Sequence, residues 1–299
     1  MRTWADLDNL EPPPDLACQL DVLERYLRAA QGTGVGVLAN FTSFFDSAMR
    51  AVGVIEALYL FYDDRPFLEA LMDALLDHQE RVLRAVCDRF AADLALVLVN
   101  DEIAHNVGLM IRPDMFEEMF PQRMQRLIAP AKEHGKLTGL HTRGRMEKVL
   151  PILQRIGFDV AQPMEPECNR SAWSSSRTVG VPRWLSWAGF PSLCSHAERS
   201  GWERIEEAVR DHCARLAPGG GYVLGASGPF CDGIAPQNVW AMVQAAHQYG
   251  SYESLGTRSG VEAFTPPPRQ MASESASGRI SDSLTRRFAH SRRSRSGEV

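Results

Sequence analysis

Between residues 34 and 250 short apolar runs alternate with longer amphipathic stretches, and this alternation constrains the fold more than any other feature of the chain. The runs 34-GVGVLAN-40, 93-DLALVLVN-100, 136-KLTGLH-141, 158-FDVAQP-163, 183-RWLSWAG-189 and 221-GYVLGAS-227 read as strands. They are near-continuously apolar, as strands covered on both faces are. The stretch 64-DRPFLEALMDALLDHQERVLRAVCDRF-90 reads as a helix, with Asp64 as N-cap and Pro66 in the first turn. Phe67, Leu68, Leu71, Met72, Leu75 and Leu76 form its apolar face. Further helices are expected over 113–135, kinked at Pro121 and ended by Gly135, and over 146–157, 201–217 and 236–250. Repeated βα units of this kind build a parallel sheet.

An open doubly wound sheet and a closed barrel both satisfy that pattern, and polar residues at the strand ends separate them. Asn40, Asn100 with Asp101, His141, Glu165, Gly189 and Ser227 all sit at or just past strand C-termini. In a (β/α) barrel those positions converge on the face that carries the active site. A doubly wound nucleotide fold would put a glycine-rich turn after its first strand, and 40-NFTSFF-45 is not one. The glycines of 219-GGGYVLGAS-227 precede a strand, so they do not form a phosphate cradle either. The expected fold is α/β, a (β/α)8 TIM-barrel-like domain over residues 34–252, preceded by a helical or extended segment at 1–33.

Charge and composition narrow the partners. Residues 253–299 hold 286-RRFAHSRRSRSGEV-299 and much Ser and Pro, and read as a basic, disordered tail. The chain as a whole is at −5, so the body without this tail is more acidic still and offers no electrostatic case for nucleic acid. No apolar run approaches the roughly 20 residues that span a bilayer. The six cysteines are scattered without a CxxC pair, and the chain does not open on a basic-then-apolar leader. A cytoplasmic protein with reduced thiols is expected.

Four blocks, taken together, resemble a known family: 100-NDEIAHNVGLMIRPDMFEEMFPQRMQRLI-128, 141-HTRG-144, 163-PMEPECN-169 and 218-PGGGYVLGASGPFCDGIAPQNVWAMVQAAHQYGSY-252. Their order and spacing are similar to those of the uroporphyrinogen decarboxylase superfamily, which includes the corrinoid (cobalamin-dependent) methyltransferases. The resemblance implies a barrel with a deep cleft at the strand C-termini, taking a tetrapyrrole or related anionic molecule. Set against the family, the first N-terminal βα portion before 12-PPPDL-16 is expected to be missing, and residues 1–40 carry no arginine-rich substrate motif.

The resemblance implies a cleft-facing carboxylate at Asp101 and a cleft histidine at His141, both expected to be catalytic. Glu102 and His105, beside Asp101, are expected to point elsewhere. Where zinc-dependent methyltransferases of the family read His-x-Cys, this chain carries Arg143 two residues after the histidine. A guanidinium does not ligate zinc, so no metal is expected; zinc at His141 and Cys231, with a corrinoid protein as partner, is the alternative. Cys231 falls about two residues short of the family spacing to 236-PQN-238. Arg143 suits a substrate carboxylate, or else pairs with Glu147 on the next helix. Glu165, held between prolines, and Gly225 with Ser227 complete the expected substrate-binding set; Cys168 and Asn238 are expected to be structural. Three readings follow: a decarboxylase (lyase) without cofactor, a corrinoid-linked methyltransferase or demethylase component, and a truncated non-catalytic binding or regulatory module. A homodimer is compatible with each.

Overall fold

The computed structural model describes residues 3–10, 16–165, 168–169, 185–190, 202–217, 221–226 and 234–251, and the tail at 253–299 lies outside them. Two helices precede the first strand, α1 (Trp4–Asp8) and α2 (Leu16–Ala30), followed by β1 (Val37–Thr42). Next come α3 (Phe44–Val52), α4 (Val54–Asp63), α5 (Arg65–Phe90) and β2 (Leu94–Asn100). A two-stranded ribbon, β3 (Ala104–His105) with β4 (Gly108–Leu109), leads to α6 (Pro113–Met119) and α7 (Pro121–Glu133). The remaining elements are β5 (Thr138–His141), α8 (Leu150–Ile156), β6 (Val160–Gln162), β7 (Leu185–Phe190), helix Trp202–Leu216, β8 (Tyr222–Ala226) and helix Pro236–Tyr249.

Local chemistry sets the boundaries. The Asp64 carboxylate accepts from Phe67 N–H at 3.2 Å and Pro66 occupies the first turn, so α5 begins where the sequence says it should. Pro121 divides the expected helix over 113–135 in two at Phe120, because a proline needs a first-turn position. The expected helix over 146–157 begins only at Leu150, since Pro151 claims its first turn and residues 147–149 form a turn instead.

The six long strands form one sheet in the order β1-β2-β5-β6-β7-β8, every pair parallel. Spatial order follows chain order without reversal, which is the winding of a barrel and not of a doubly wound sheet. β1 and β8 are its two edges, so among the described residues this TIM-barrel-like sheet is not closed. Helices α3 to α8 pack one face into the main core. Phe44, Phe45, Phe67, Phe116 and Phe120 there meet Val99, Leu140 and Ala161 from three strands. Phe116 stacks on Phe120 with centroids 4.8 Å apart, and Phe45 meets Phe120 edge-on at 5.3 Å. A second core forms between the two C-terminal helices, around Ile205, Val209, Tyr222 and Met242.

Ion pairs tie α5 to α7. Arg123, its side chain only 14% exposed, donates to both Asp73 oxygens at 2.7 and 2.9 Å and to Met119 O at 2.7 Å. Replacing it strands an acidic pair beside the core, so Arg123→Ala is expected to cost about 2 kcal/mol, the range for hydrogen bonds to charged groups. Arg155 and Glu117 form an equally short but exposed pair at 2.5 Å, and Arg155→Ala is expected to cost well under about 1 kcal/mol. Urea denaturation of the two variants checks the contrast.

Candidate functional site

Strand pairing continues one residue past each strand end. Ser43 N–H donates to Asn100 O at 2.7 Å, Asp101 N–H to His141 O at 3.0 Å, and Thr142 N–H to Gln162 O at 2.9 Å. The C-termini of β1, β2, β5 and β6 are thereby in register, and side-chain alternation decides which residues face which layer. Val97 and Val99 of β2 are buried against the helices, as are Leu140 of β5 and Ala161 of β6. Continuing that alternation puts Ser43, Asp101 and Thr142 on the helix side, and all three are fully buried. Asn100, Glu102, His141, Arg143 and Gln162 fall on the opposite face, the cleft side.

Asp101, expected in the cleft, lies beneath it. Its Oδ1 accepts Asp46 N–H at 2.8 Å, capping the third residue of α3 from a neighbouring strand. Ser43, the N-cap position of α3, makes no capping bond of its own. Burial pushes the Asp101 carboxyl up to about 7; the Ser43 hydroxyl and the Asp46 N–H pull it down, and the charges of Asp46 and Glu102 add to the rise. The Ser43 hydroxyl exerts that pull from beside the carboxylate without a well-formed hydrogen bond, and both its Oγ and Asp101 Oδ2 are buried without partners. The Asn100 Oδ1, on the cleft side, is likewise buried with no donor.

Glu102 stands at the centre of the cleft cluster. Its Oε1 lies 3.9 Å from His141 Nε2 and 3.4 Å from Arg143 Nε, and its Oε2 accepts Arg143 N–H at 3.3 Å. His141 Nδ1 meets Gln162 Oε1. An amide oxygen only accepts, so Nδ1 carries the hydrogen and Nε2 is left toward Glu102 and the cleft. Arg50, paired to Asp46 at 2.8 Å, has its pKa raised chiefly by that hydrogen bond and by the Asp46 charge, with Glu102 contributing in lesser degree.

The loop that carries Arg143 is clamped from below. Gly144 N–H donates to Glu165 Oε2 at 2.9 Å, Met146 N–H to Asn169 Oδ1 at 2.8 Å, and Asn169 Nδ2 to Gly144 O at 2.8 Å. Arg145 N–H reaches His105 O at 3.0 Å. Glu165 therefore holds the loop through at least one oxygen, and Asn169, fully buried, is a second clamp that the sequence reading did not single out. Glu147 meets Arg145 at 4.0 Å, so the alternative pairing of Arg143 with Glu147 is not the one formed.

Gly225 lies on β8, opposite Gly189 of β7 and three strands from His141. Ser227 and Cys231 lie outside the described residues. Cys168 Sγ is 3.8 Å from Asn106 Oδ1 in the loop beside Arg145. Among the described residues no group of three or more His, Cys, Asp or Glu side chains is placed to hold a metal. The Arg143 guanidinium, which shares the Glu102 carboxylate with His141, would oppose a cation at Nε2. One cavity, about 470 Å³, lies between α2 and the start of β1, lined by Leu23, Tyr26, Val35 and Val37. That is the N-terminal end of the strand, the far end from His141, so the chemistry and not the cavity size marks the site. Another, about 340 Å³, lies between α4 and residues 109–115.

A singly wound parallel βα sheet with polar and charged side chains gathered at its strand C-termini is TIM-barrel-like. The sequence model of uroporphyrinogen decarboxylase (URO-D) matches residues 1–182, and the chain belongs to that family. No curated protein matches the chain in sequence. Among solved structures it is similar to a methyltransferase from Methanosarcina mazei, at 18% identity and a TM-score of 0.61, over 78% of this chain and 64% of that one. That likeness shows the fold, and this chain spans less than two thirds of the methyltransferase's length. No described helix is long and apolar enough to cross a membrane.

Proposed function

We propose that this chain is a uroporphyrinogen-decarboxylase-like lyase acting on a carboxylate-bearing small molecule of the tetrapyrrole class. The observation that carries the reading is the His141 ring, fixed through Nδ1 by Gln162 and presenting Nε2 to a cleft that also holds Arg143. Arg143 grips a carboxylate of the ligand with its planar fork. When the bond from carbon to the departing carboxylate breaks, carbon dioxide leaves, the electron pair stays on the carbon, and protonated His141 supplies the proton that replaces it. Positioned acid–base catalysis of this kind contributes about 10² to 10⁴ in rate. Glu165 and Asn169 act by holding the Arg143 loop, and Asp101 by holding α3 under the cleft. The reading needs no cofactor and places the protein among small-molecule enzymes.

Anaerobic incubation with uroporphyrinogen, with products counted by carboxylate number, tests this. Loss of carbon dioxide is expected, and His141→Ala is expected to slow it about a hundredfold. A wild-type protein that releases none at any concentration sinks the decarboxylase reading. The likeness to a methyltransferase favours a second one, a component of corrinoid-linked methyl transfer working with a partner protein. Methyl transfer to a thiol that appears only when a corrinoid protein is added supports that alternative.

A further inference from the structure

We infer that Glu102 is a displaceable internal counter-ion of Arg143, and so a specificity-determining residue that restricts the cleft to ligands bearing more than one carboxylate. The inference rests on the anion-binding reading of Arg143 given above and assigns a role to a residue that reading leaves unused.

The pair has the geometry of a partner that can let go. Among the described residues Glu102 is the one acidic group paired with Arg143, and it engages a single side-chain nitrogen, Nε, at 3.4 Å. Structural arginines of this chain are held far more tightly: Arg123 meets Asp73 at 2.7 and 2.9 Å through two nitrogens, and Arg126 meets Glu80 at 2.6 Å. The Arg143 side chain is 58% exposed and that of Glu102 31%, so solvent and ligand both reach the pair. A pair this exposed is worth little, about 0.2–1 kcal/mol.

Glu102 also has alternative support when the guanidinium leaves. Its Oε2 keeps the backbone N–H of Arg143 at 3.3 Å. The carboxylate therefore stays in the cleft and is not swept out by an incoming anion. A ligand carboxylate that reaches Arg143 arrives beside a fixed negative charge. Exchanging one carboxylate for another at Arg143 gains little, so a monocarboxylate is held weakly. A ligand with further carboxylates draws its affinity from those other contacts and tolerates the exchange.

A double-mutant cycle reads this directly. Coproporphyrin III, a tetracarboxylate, serves as the probe, and its fluorescence is titrated with wild type, Glu102→Gln, Arg143→Gln and the double variant. Both side chains are solvent-accessible, so neither substitution removes core packing. Glu102→Gln is expected to tighten binding about threefold to fivefold when Arg143 is present, the factor that corresponds to the upper part of that energy range. In the Arg143→Gln background the same substitution is expected to change affinity by less than about 1.5-fold. Equal tightening in both backgrounds would make Glu102 a distant charge and overturn the inference, as would no tightening at all. Should Arg143→Gln bind the probe as tightly as wild type, the anion grip itself fails. A probe that binds none of the four proteins overturns both.

Discussion

Asp101→Asn is expected to make the protein more stable than wild type at pH 8 and no more stable at pH 4. The carboxyl has a pKa of 3.8 when free of its surroundings and about 7 in the folded chain, chiefly through burial. Between those values the folded protein keeps a proton that the unfolded chain has lost. The stability this proton contributes is full below about pH 4, falls as pH rises through about 7, and is flat beyond. At about 1.4 kcal/mol per pH unit the total is on the order of 4 kcal/mol, a large share of the stability of an ordinary domain. Asparagine keeps an oxygen for the Asp46 N–H and presents an N–H toward Ser43 Oγ, which has no partner in the native protein. It therefore retains the cap on α3 without a buried charge. Denaturation of both proteins in urea across pH 4–8 gives the difference curve, in which titrations common to both cancel. A flat difference, or a variant less stable at pH 8, would falsify the assignment of a buried, proton-holding carboxylate at this position.

Asp101 and Glu102 also show how far the sequence carries a reader toward the site. The block 100-NDE-102 stands out as a strand end with carboxylates, and family resemblance drew attention to the first of them. The structure turns on an alternation that was already readable. Val97 and Val99 belong to the helix-facing side, so 101 follows them into the core while 102 turns to the cleft beside His141. Applying period-two alternation one step beyond the strand end would have picked Glu102. The same step places Gln162 next to His141, a partner that no motif advertised.

Elements were legible where the chemistry was local. The Asp64 and Pro66 signals gave the start of α5, and the six apolar runs gave all six strands of the sheet to within a few residues. What stayed hidden was α3 and α4. They meet at Gly53, which serves as the C-cap of one and the N-cap of the other, and residues 54–63 are too uniformly apolar to show a helical period. The ribbon β3–β4 has two residues per strand, too short for any alternation to register. Proline placement is visible in the sequence, but its consequence depends on the turn it occupies: Pro121 begins a new helix, and Pro151 shortens the next one and frees 142–149 to form the cleft loop.

That loop gives the second large effect: Gly144→Ala is expected to cost about 3 kcal/mol and to disable the Arg143 grip together. Gly144 has φ +94°, a region costly for any residue with a side chain. A Cβ there would stand 2.3 Å from His105 C and 2.5 Å from its Cα and O. These are backbone atoms of the ribbon, and the same His105 O accepts Arg145 N–H, so neither side has a flexible group to yield. The loop must lift away from the ribbon. Lifting stretches the Gly144 N–H bond to Glu165 and the bonds to Asn169, and it moves Arg143, whose backbone precedes the lifted residue directly. Gly108 offers the comparison: its φ of +154° is also unfavourable, yet its Cβ would meet nothing within 4 Å. Gly108→Ala should therefore cost about 1 kcal/mol, the low end of the range for backbone strain, and leave ligand binding alone, since no clash adds to it. Urea denaturation combined with coproporphyrin III titration separates the two contributions. Equal losses of stability in both variants would show that strain alone is at work, and unchanged probe binding in Gly144→Ala would show that the loop's fit against the ribbon does not set the position of Arg143.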